Sequence, residues 1–247
     1  MLTIDTMPLE NKTYLITGVN SGLGKFLYES IPEALGLSRD NKHEILEEAS
    51  NAEKVVILHA AFNSKRNIED YSQYIEDNIF LTEDLLHLGS GKFVYFSSVD
   101  VYGSFTPYSF MKKCVEDFVK KRLPTALVLR LPAILGPTIR KNSLIRLMEE
   151  KELTLHQESI FNYVLQSDIL EAVTNDEILS RTGTYNFVAS ENVRLLDLAE
   201  RYNKNVRFGH YTYETGLNDH KEIENLYPYP ERTSRDVVEL FLRNYYE

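Results

Sequence analysis

The sequence predicts an α/β domain built on a doubly wound parallel sheet. Three observations carry this expectation. Apolar, β-branched runs alternate with helical patterns from residue 13 to residue 188. The first run, Thr13–Gly18 (TYLITG), passes straight into a glycine-rich turn and then the helix start KFLYESI. A later run, KFVYFSS, ends in Ser97-Ser98, and a helical pattern that carries Tyr108 and Lys112 follows it.

In chain order, strands are expected near 13–18, 34–38, 54–60, 92–97, 126–131 and 184–188. Each is short, apolar and rich in Val, Ile, Leu, Tyr or Phe, the pattern of strands buried on both faces. Helices are expected near 23–30, 42–50, 67–88, 108–121, 143–150, 168–179, 195–202 and 233–245. Thr233 or Ser234 opens the last, and Asp236 in its first turn suits the helix dipole. Pro124, Pro132 and Pro137 punctuate the fifth crossover. The interval between Gly24 and the strand end His59-Ala60-Ala61 is about 35 residues. A crossover needs at least about 10–12 residues, so that interval holds one further strand and not two. Residues 203–232 are polar, tyrosine-rich and poorly periodic, and read as anchored irregular structure rather than a separate domain. No internal repeat or low-complexity run is visible.

Composition narrows the partners. The 247 residues are 43% hydrophobic and 26% charged, ordinary for a globular protein with a real core. A net charge of −10 argues against nucleic acid and anionic membranes, which need clustered Lys and Arg. No apolar stretch reaches bilayer length, and the N-terminus MLTIDTMPLENK lacks a basic-then-apolar leader pattern. Cys114 is the single cysteine, which excludes an intrachain disulfide and fits a reducing, cytoplasmic compartment. The six histidines show no paired metal-ligand spacing, so no metal is expected.

The chemistry sits in two motifs. In Gly18-Val-Asn20-Ser21-Gly22-Leu23-Gly24, glycines permit a tight strand-to-helix turn and close backbone approach to a pyrophosphate. The helix start supplies unpaired N–H groups for the anion. The spacing is G-x-x-x-G-x-G rather than G-x-G-x-x-G. In the second motif, Tyr108 and Lys112 stand at i and i+4, on one helix face. An ammonium there favours the phenolate and lowers the tyrosine pKa, which suits proton exchange with a carbinol or carbonyl. Ser98, at a strand end, can hydrogen-bond the same oxygen. At the second strand end, Ser38 and Arg39 favour the 2′-phosphate of NADP, while Asp40 keeps NAD open.

Together these elements resemble the short-chain dehydrogenase/reductase superfamily, and specifically its extended branch of nucleotide-sugar epimerases, dehydratases and reductases. The resemblance covers nearly the whole chain and implies a Rossmann-like sheet. Lys54–Ala61 (KVVILHAA) is similar to a strand whose end, His59, Ala60 and Ala61, lies along the cofactor. Asn78 matches the asparagine opening the following long helix, and Ser98, Tyr108 and Lys112 match the catalytic set, with Ser97 beside them. Arg130–Pro137 (RLPAILGP), with Leu131, Pro132 and Ile134, is similar to the turn leading to the sugar site. Phe161–Val173 resembles the segment with an acidic residue, here Asp168, at a helix head. The resemblance implies a single Rossmann-like domain over 1–247, with 132–165 and 189–235 forming a small C-terminal substrate-binding cap. It also implies a homodimer acting on a nucleotide-sugar.

The compact N-terminal half is similar to dTDP-4-dehydrorhamnose reductases. Dehydratases of the branch place an Asp-Glu pair after the Ser/Thr, where this chain has Val99-Asp100, which argues against a 4,6-dehydratase. The reading that follows is an NAD(P)-dependent reductase or epimerase with NADP favoured. Its alternatives are an NAD-retaining 4-epimerase and a non-catalytic dinucleotide sensor or scaffold. Tyr211, Tyr213, Tyr227 and Tyr229 either stack on a base or sugar or pack as ordinary half-buried rings.

Overall fold

The computed structural model describes residues 12–64, 70–89, 91–103, 106–217 and 222–246. Its first half runs β1 (Thr13–Thr17), α1 (Gly22–Ser30), β2 (Leu35–Leu37), α2 (Lys42–Ser50), β3 (Val55–His59) and α3 (Tyr71–Ile75). A π-helical turn (Glu76–Phe80) leads to α4 (Leu81–Leu86), β4 (Gly91–Ser98), a 3-10 turn (Val99–Tyr102), α5 (Pro107–Arg122) and β5 (Leu127–Leu131). Then come β6 (Ala133–Leu135), α6 (Ser143–Met148), β7 (Ile160–Phe161), β8 (Tyr163–Leu165) and α7 (Gln166–Thr174). The chain ends with α8 (Asp176–Ser180), β9 (Gly183–Asn186), β10 (Val193–Arg194), α9 (Leu195–Arg201) and α10 (Ser234–Tyr245).

The six expected strands form one parallel sheet in the order β2-β1-β3-β4-β5-β9. Period-2 alternation feeds two apolar cores. Tyr14, Ile16, Val56, Leu58, Val94, Phe96, Leu127 and Leu129 bury against one helical layer. Leu15, Val55, Ile57, Phe93, Tyr95 and Val128 bury against the other. From β1 the chain crosses first to β2 on one side and then back to β3 on the other. That reversal opens a crevice at the carboxyl ends of the strands, where open α/β sheets bind ligands. One strand, β2, fills the Gly24–His59 interval, as the available length predicts.

Two helices differ from expectation. The segment expected as one helix over 67–88 is α3, a π-helical turn and α4, and its first expected residues, 67–69, lie outside the described ones. The helix expected over 168–179 begins at Gln166 and divides at Asn175, whose side chain accepts from the Ile178 N–H and caps α8. The pairs β6–β8 and β7–β10 were not expected, because strands of two or three residues carry no readable period. Of residues 203–232, the described ones (203–217 and 222–232) are largely irregular, yet hydrogen bonds tie them down. Leu153 donates to the Arg207 carbonyl (2.9 Å), Ile160 to that of Tyr213 (2.8 Å), and Leu226 to that of Asn186 (2.9 Å). Among the described residues, no helix is long and apolar enough to cross a membrane.

Candidate active site

A crevice of about 950 Å³ runs along the strand ends, from the Gly18–Gly24 turn past β2 and β3 to Ser98 and Tyr108. The turn is packed as tightly as backbone allows. A Cβ on Gly24 would lie 2.5 Å from the carbonyl oxygens of Thr17 and Gly18, and one on Gly18 would lie 3.0 Å from Ala61. Ser21 precedes α1 without a side-chain cap, so the first N–H groups of α1 have no side-chain acceptor there. The Ser21 hydroxyl instead accepts from the Arg140 guanidinium at 2.9 Å, which sets a cation at the helix start. Close backbone packing, uncapped N–H groups and a cation fit an anionic diphosphate.

The second part of the site is made by β4 and α5. Thr106 caps α5 by accepting from the Ser109 N–H (3.1 Å), while the Ser109 hydroxyl accepts from the Thr106 N–H (3.0 Å). Pro107 follows at the first helical position. This reciprocal cap starts the helix just before Tyr108 and puts Lys112 one turn further in. Tyr108 is half-buried beside Ser98 on the crevice wall. Burial first, then the charge of Asp100, raises the Tyr108 pKa, and the nearby Ser98 hydroxyl opposes that rise only in part. Lys112 is 6% exposed; its Nζ donates to the Phe96 carbonyl at 2.7 Å. The ammonium lies 4.1 Å from the Phe62 ring centre and 4.9 Å from that of Tyr95. Phe62 also meets Tyr108 edge-on, with ring centres 5.3 Å apart. Burial pushes Lys112 down to about 7, against the pull of Glu116. The expectation that Lys112 lowers the Tyr108 pKa is therefore not met: burial and Asp100 hold the phenol neutral.

Gly18, Asn20, Ser21, Gly22, Leu23, Gly24, Ser38, Arg39, Ala60, Ala61, Ser97, Ser98, Tyr108, Lys112, Leu131, Pro132 and Ile134 all line the crevice. His59 and Asn78 stand behind it instead. His59 is 1% exposed, and its ring bridges Thr17 and Thr82 at 2.9 Å each. Thr17 accepts from the Ala61 N–H (2.8 Å), and Thr82 donates to the Asn78 carbonyl (2.7 Å). The one proton of the Thr82 hydroxyl is committed to Asn78, so Nε2–H donates to Thr82, and in the neutral ring Nδ1 is left to accept from Thr17. Burial, with the charge of Lys112, lowers the His59 pKa to about 3, so the ring stays neutral. Asn78 clamps the loop after β3 by accepting from the Asn63 N–H (2.9 Å) and donating to the Asn63 carbonyl (3.3 Å). Neither His59 nor Asn78 is among the residues that line the crevice.

Beyond β2 the Arg39 guanidinium, on which the NADP expectation rests, pairs with Asp77 at 2.7 Å. Sequence reasoning missed Asp77, Phe62 and Arg140. The first pair is separated by 38 positions, and Arg140 meets Ser21 across 119, so only the fold joins them. Of the tyrosines weighed for stacking, Tyr213 stacks on Phe161 (4.7 Å) and donates to Asp100 (2.6 Å). Tyr227 donates to Asp168 (2.5 Å), Tyr229 lies under Arg232 (3.5 Å), and Tyr211 is exposed. None lines the crevice among the described residues.

Residues 9–145 match the model of the NAD dependent epimerase/dehydratase family. The chain belongs to that family. As a member, it is an enzyme of the extended short-chain dehydrogenase/reductase type, with a site for a nicotinamide dinucleotide. No curated protein matches the chain. Solved structures resemble it over almost its full length. ADP-L-glycero-D-manno-heptose-6-epimerase from Helicobacter pylori has a TM-score of 0.73 at 18% identity, covering 98% of both chains. UDP-glucose 4-epimerase from Thermus thermophilus in complex with NAD has a TM-score of 0.63 at 17% identity, covering 94% of this chain and 99% of its own. UDP-N-acetylglucosamine 4-epimerase from Methanobrevibacter ruminantium, in complex with UDP-N-acetylmuramic acid, has a TM-score of 0.67 at 14% identity. It covers 94% of this chain and 99% of that one. At these identities the likeness establishes the fold.

Proposed function

We propose that this chain exchanges hydride at a hydroxyl-bearing carbon of a nucleotide-activated sugar, as an NAD-dependent epimerase. The observation that carries the reading is the convergence of Ser98, Tyr108 and Lys112 on the crevice that begins at the Gly18–Gly24 turn. The nucleotide-sugars and NAD named for its structural neighbours support the substrate class and the cofactor form. A bound nicotinamide dinucleotide supplies the hydride donor and acceptor. The α1 start and Arg140 would hold its diphosphate, Ala60, Ala61, Leu131, Pro132 and Ile134 its flanks, and Lys112 its nicotinamide ribose.

Within the chain, Tyr108 carries the proton. Kept neutral by burial and by Asp100, it donates to a developing alkoxide when the keto carbon is reduced. In the opposite direction the phenol must first give up its own proton, and the phenolate, favoured by the Lys112 charge one turn away, then takes up the carbinol proton. Ser98 polarises the same oxygen. Segments 132–165 and 189–235 form the substrate cap of one Rossmann-like domain. Phe80, 53% exposed on the helical segment that holds Asn78, supports a homodimer through that segment.

Two measurements test this. Tyr108→Phe lowers turnover of a panel of nucleotide-sugars by roughly 10²–10⁴-fold while dinucleotide affinity stays within about threefold. Undiminished turnover overturns the assignment of Tyr108. Purified protein carries tightly held NAD; protein that is isolated empty and consumes free NADH or NADPH with a keto-sugar is a reductase instead.

A further inference from the structure

The end of the crevice beyond β2 is where the adenosine ribose lies in folds of this kind, and where phosphorylated and unphosphorylated dinucleotides are told apart. No carboxylate closes β2 itself. Ser38 follows the strand and points both its N–H and its hydroxyl at Asn41 Oδ1, at 2.7 and 2.9 Å. Arg39 reaches across the crevice mouth to Asp77, which the chain supplies after β3, with Nη2–Oδ2 2.7 Å and Nε–Oδ1 3.3 Å. Asp77 is well built in. It also accepts from Asn63 Nδ2 (2.8 Å) and Gln73 Nε2 (2.9 Å), and its side chain is 12% exposed against 76% for Arg39. Burial pushes its carboxyl up, but the bonds from Arg39, Asn63 and Gln73 outweigh that and hold it below the usual range. Among the described residues, the other cation lining this end, Lys42, pairs with Asp84 at 2.5 Å. Asp40 and Glu76 line it as well. Among the described residues, three lining carboxylates, Asp40, Glu76 and Asp77, therefore stand beside two cations that are both already paired.

We propose that Asp77 selects the dinucleotide with a free adenosine 2′-hydroxyl, by holding Arg39 in an ion pair that a 2′-phosphate would have to break. This rests on the dinucleotide reading of the crevice. A guanidinium recognises phosphate through two parallel charge-assisted bonds, and here a fixed carboxylate takes the Nε–Nη2 edge and offsets the charge. A phosphorylated ribose must displace that carboxylate to use this edge and then sit among the remaining carboxylates. A plain diol meets hydrogen-bond acceptors instead.

Titration of nicotinamide fluorescence with NADH and NADPH, on wild type, Asp77→Asn and the double variant Arg39→Ala/Asp77→Asn, tests the proposal. Protein stripped of bound nucleotide is used, with folding checked by circular dichroism. Wild type should prefer NADH by roughly tenfold or more, the size of one charge-assisted contact. Asp77→Asn should tighten NADPH by roughly tenfold with NADH changed by less than about threefold, and the double variant should lose that gain. A wild-type preference for NADPH overturns the proposal, as does an Asp77→Asn preference within about twofold of wild type. Folded wild type that binds neither nucleotide overturns the dinucleotide reading itself, an outcome separate from any shift in the ratio.

Discussion

Lys112 shows how burial changes the chemistry of a side chain whose place the sequence already specifies. Its spacing from Tyr108 is legible because strand, turn and helix are adjacent in the chain. The Phe62 ring over its ammonium is not, since Phe62 comes from a strand end 50 positions earlier. The consequence is measurable. Lys112 has a folded pKa of about 7 against an ordinary value of 10.5, so between those limits the unfolded chain binds more protons. Stability contributed through this group therefore rises with pH across that window, and the penalty of the buried ammonium is fully present below 7. Lys112→Met removes the penalty. We expect the variant to be more stable than wild type by about 2–4 kcal/mol at pH 6, with the gap shrinking towards pH 10. Urea denaturation at several pH values checks it, and a pH-independent gap would show that the ammonium is not the source. The same titration should appear in activity: kcat/KM for carbonyl reduction falls above an apparent pKa near 7, reporting the free enzyme.

At the scale of elements, all six sheet strands were readable because each lies in a short run dominated by apolar or aromatic residues, even though β4 ends in two serines and β5 carries Arg130. The π-helical turn at Glu76–Phe80 was not, because its extra residue leaves no mark on a helical pattern. Yet that turn positions the wall of the site. It aims Asn78 at Asn63, completing a buried chain from Thr17 through His59 and Thr82 to the loop that carries Phe62. A resemblance to family motifs marks His59 and Asn78 without showing the hydrogen bonds that join them to the loop. Asn78→Ala leaves the Asn63 N–H without its acceptor in a half-buried place. The expected cost is about 1–3 kcal/mol of stability, with dinucleotide affinity weakened by roughly tenfold and kcat changed less than KM. A variant that melts early yet binds dinucleotide normally would make Asn78 purely structural.

Over the whole molecule, the irregular C-terminal segment must be fastened to the sheet if the two are to enclose a substrate. The sequence marks this segment as anchored, but not by what, because the partners lie 59 and 64 positions apart. The fastening is Asp168 at the head of α7, 4% exposed. Its carboxylate accepts from the Leu165 N–H (3.3 Å), the Tyr227 hydroxyl (2.5 Å) and the Arg232 guanidinium (3.0 Å). Arg232 in turn stacks on Tyr229, whose hydroxyl reaches Glu171 on the same helix. Removing one partner of a buried charged pair costs about 3–5 kcal/mol when the other charge is left behind, and less where that charge can reach water. Arg232 is partly exposed at 21%, which places Asp168→Asn nearer 2 kcal/mol. Hydrogen exchange should then quicken across 222–232 while the strands β1, β3 and β4 stay protected. Because Asp168, Tyr227 and Arg232 are not among the residues that line the crevice, dinucleotide affinity should hold as KM for the nucleotide-sugar rises several-fold. Equal losses in both affinities would mean that cap and sheet unfold together, and that Asp168 supports the whole fold rather than the seating of the substrate.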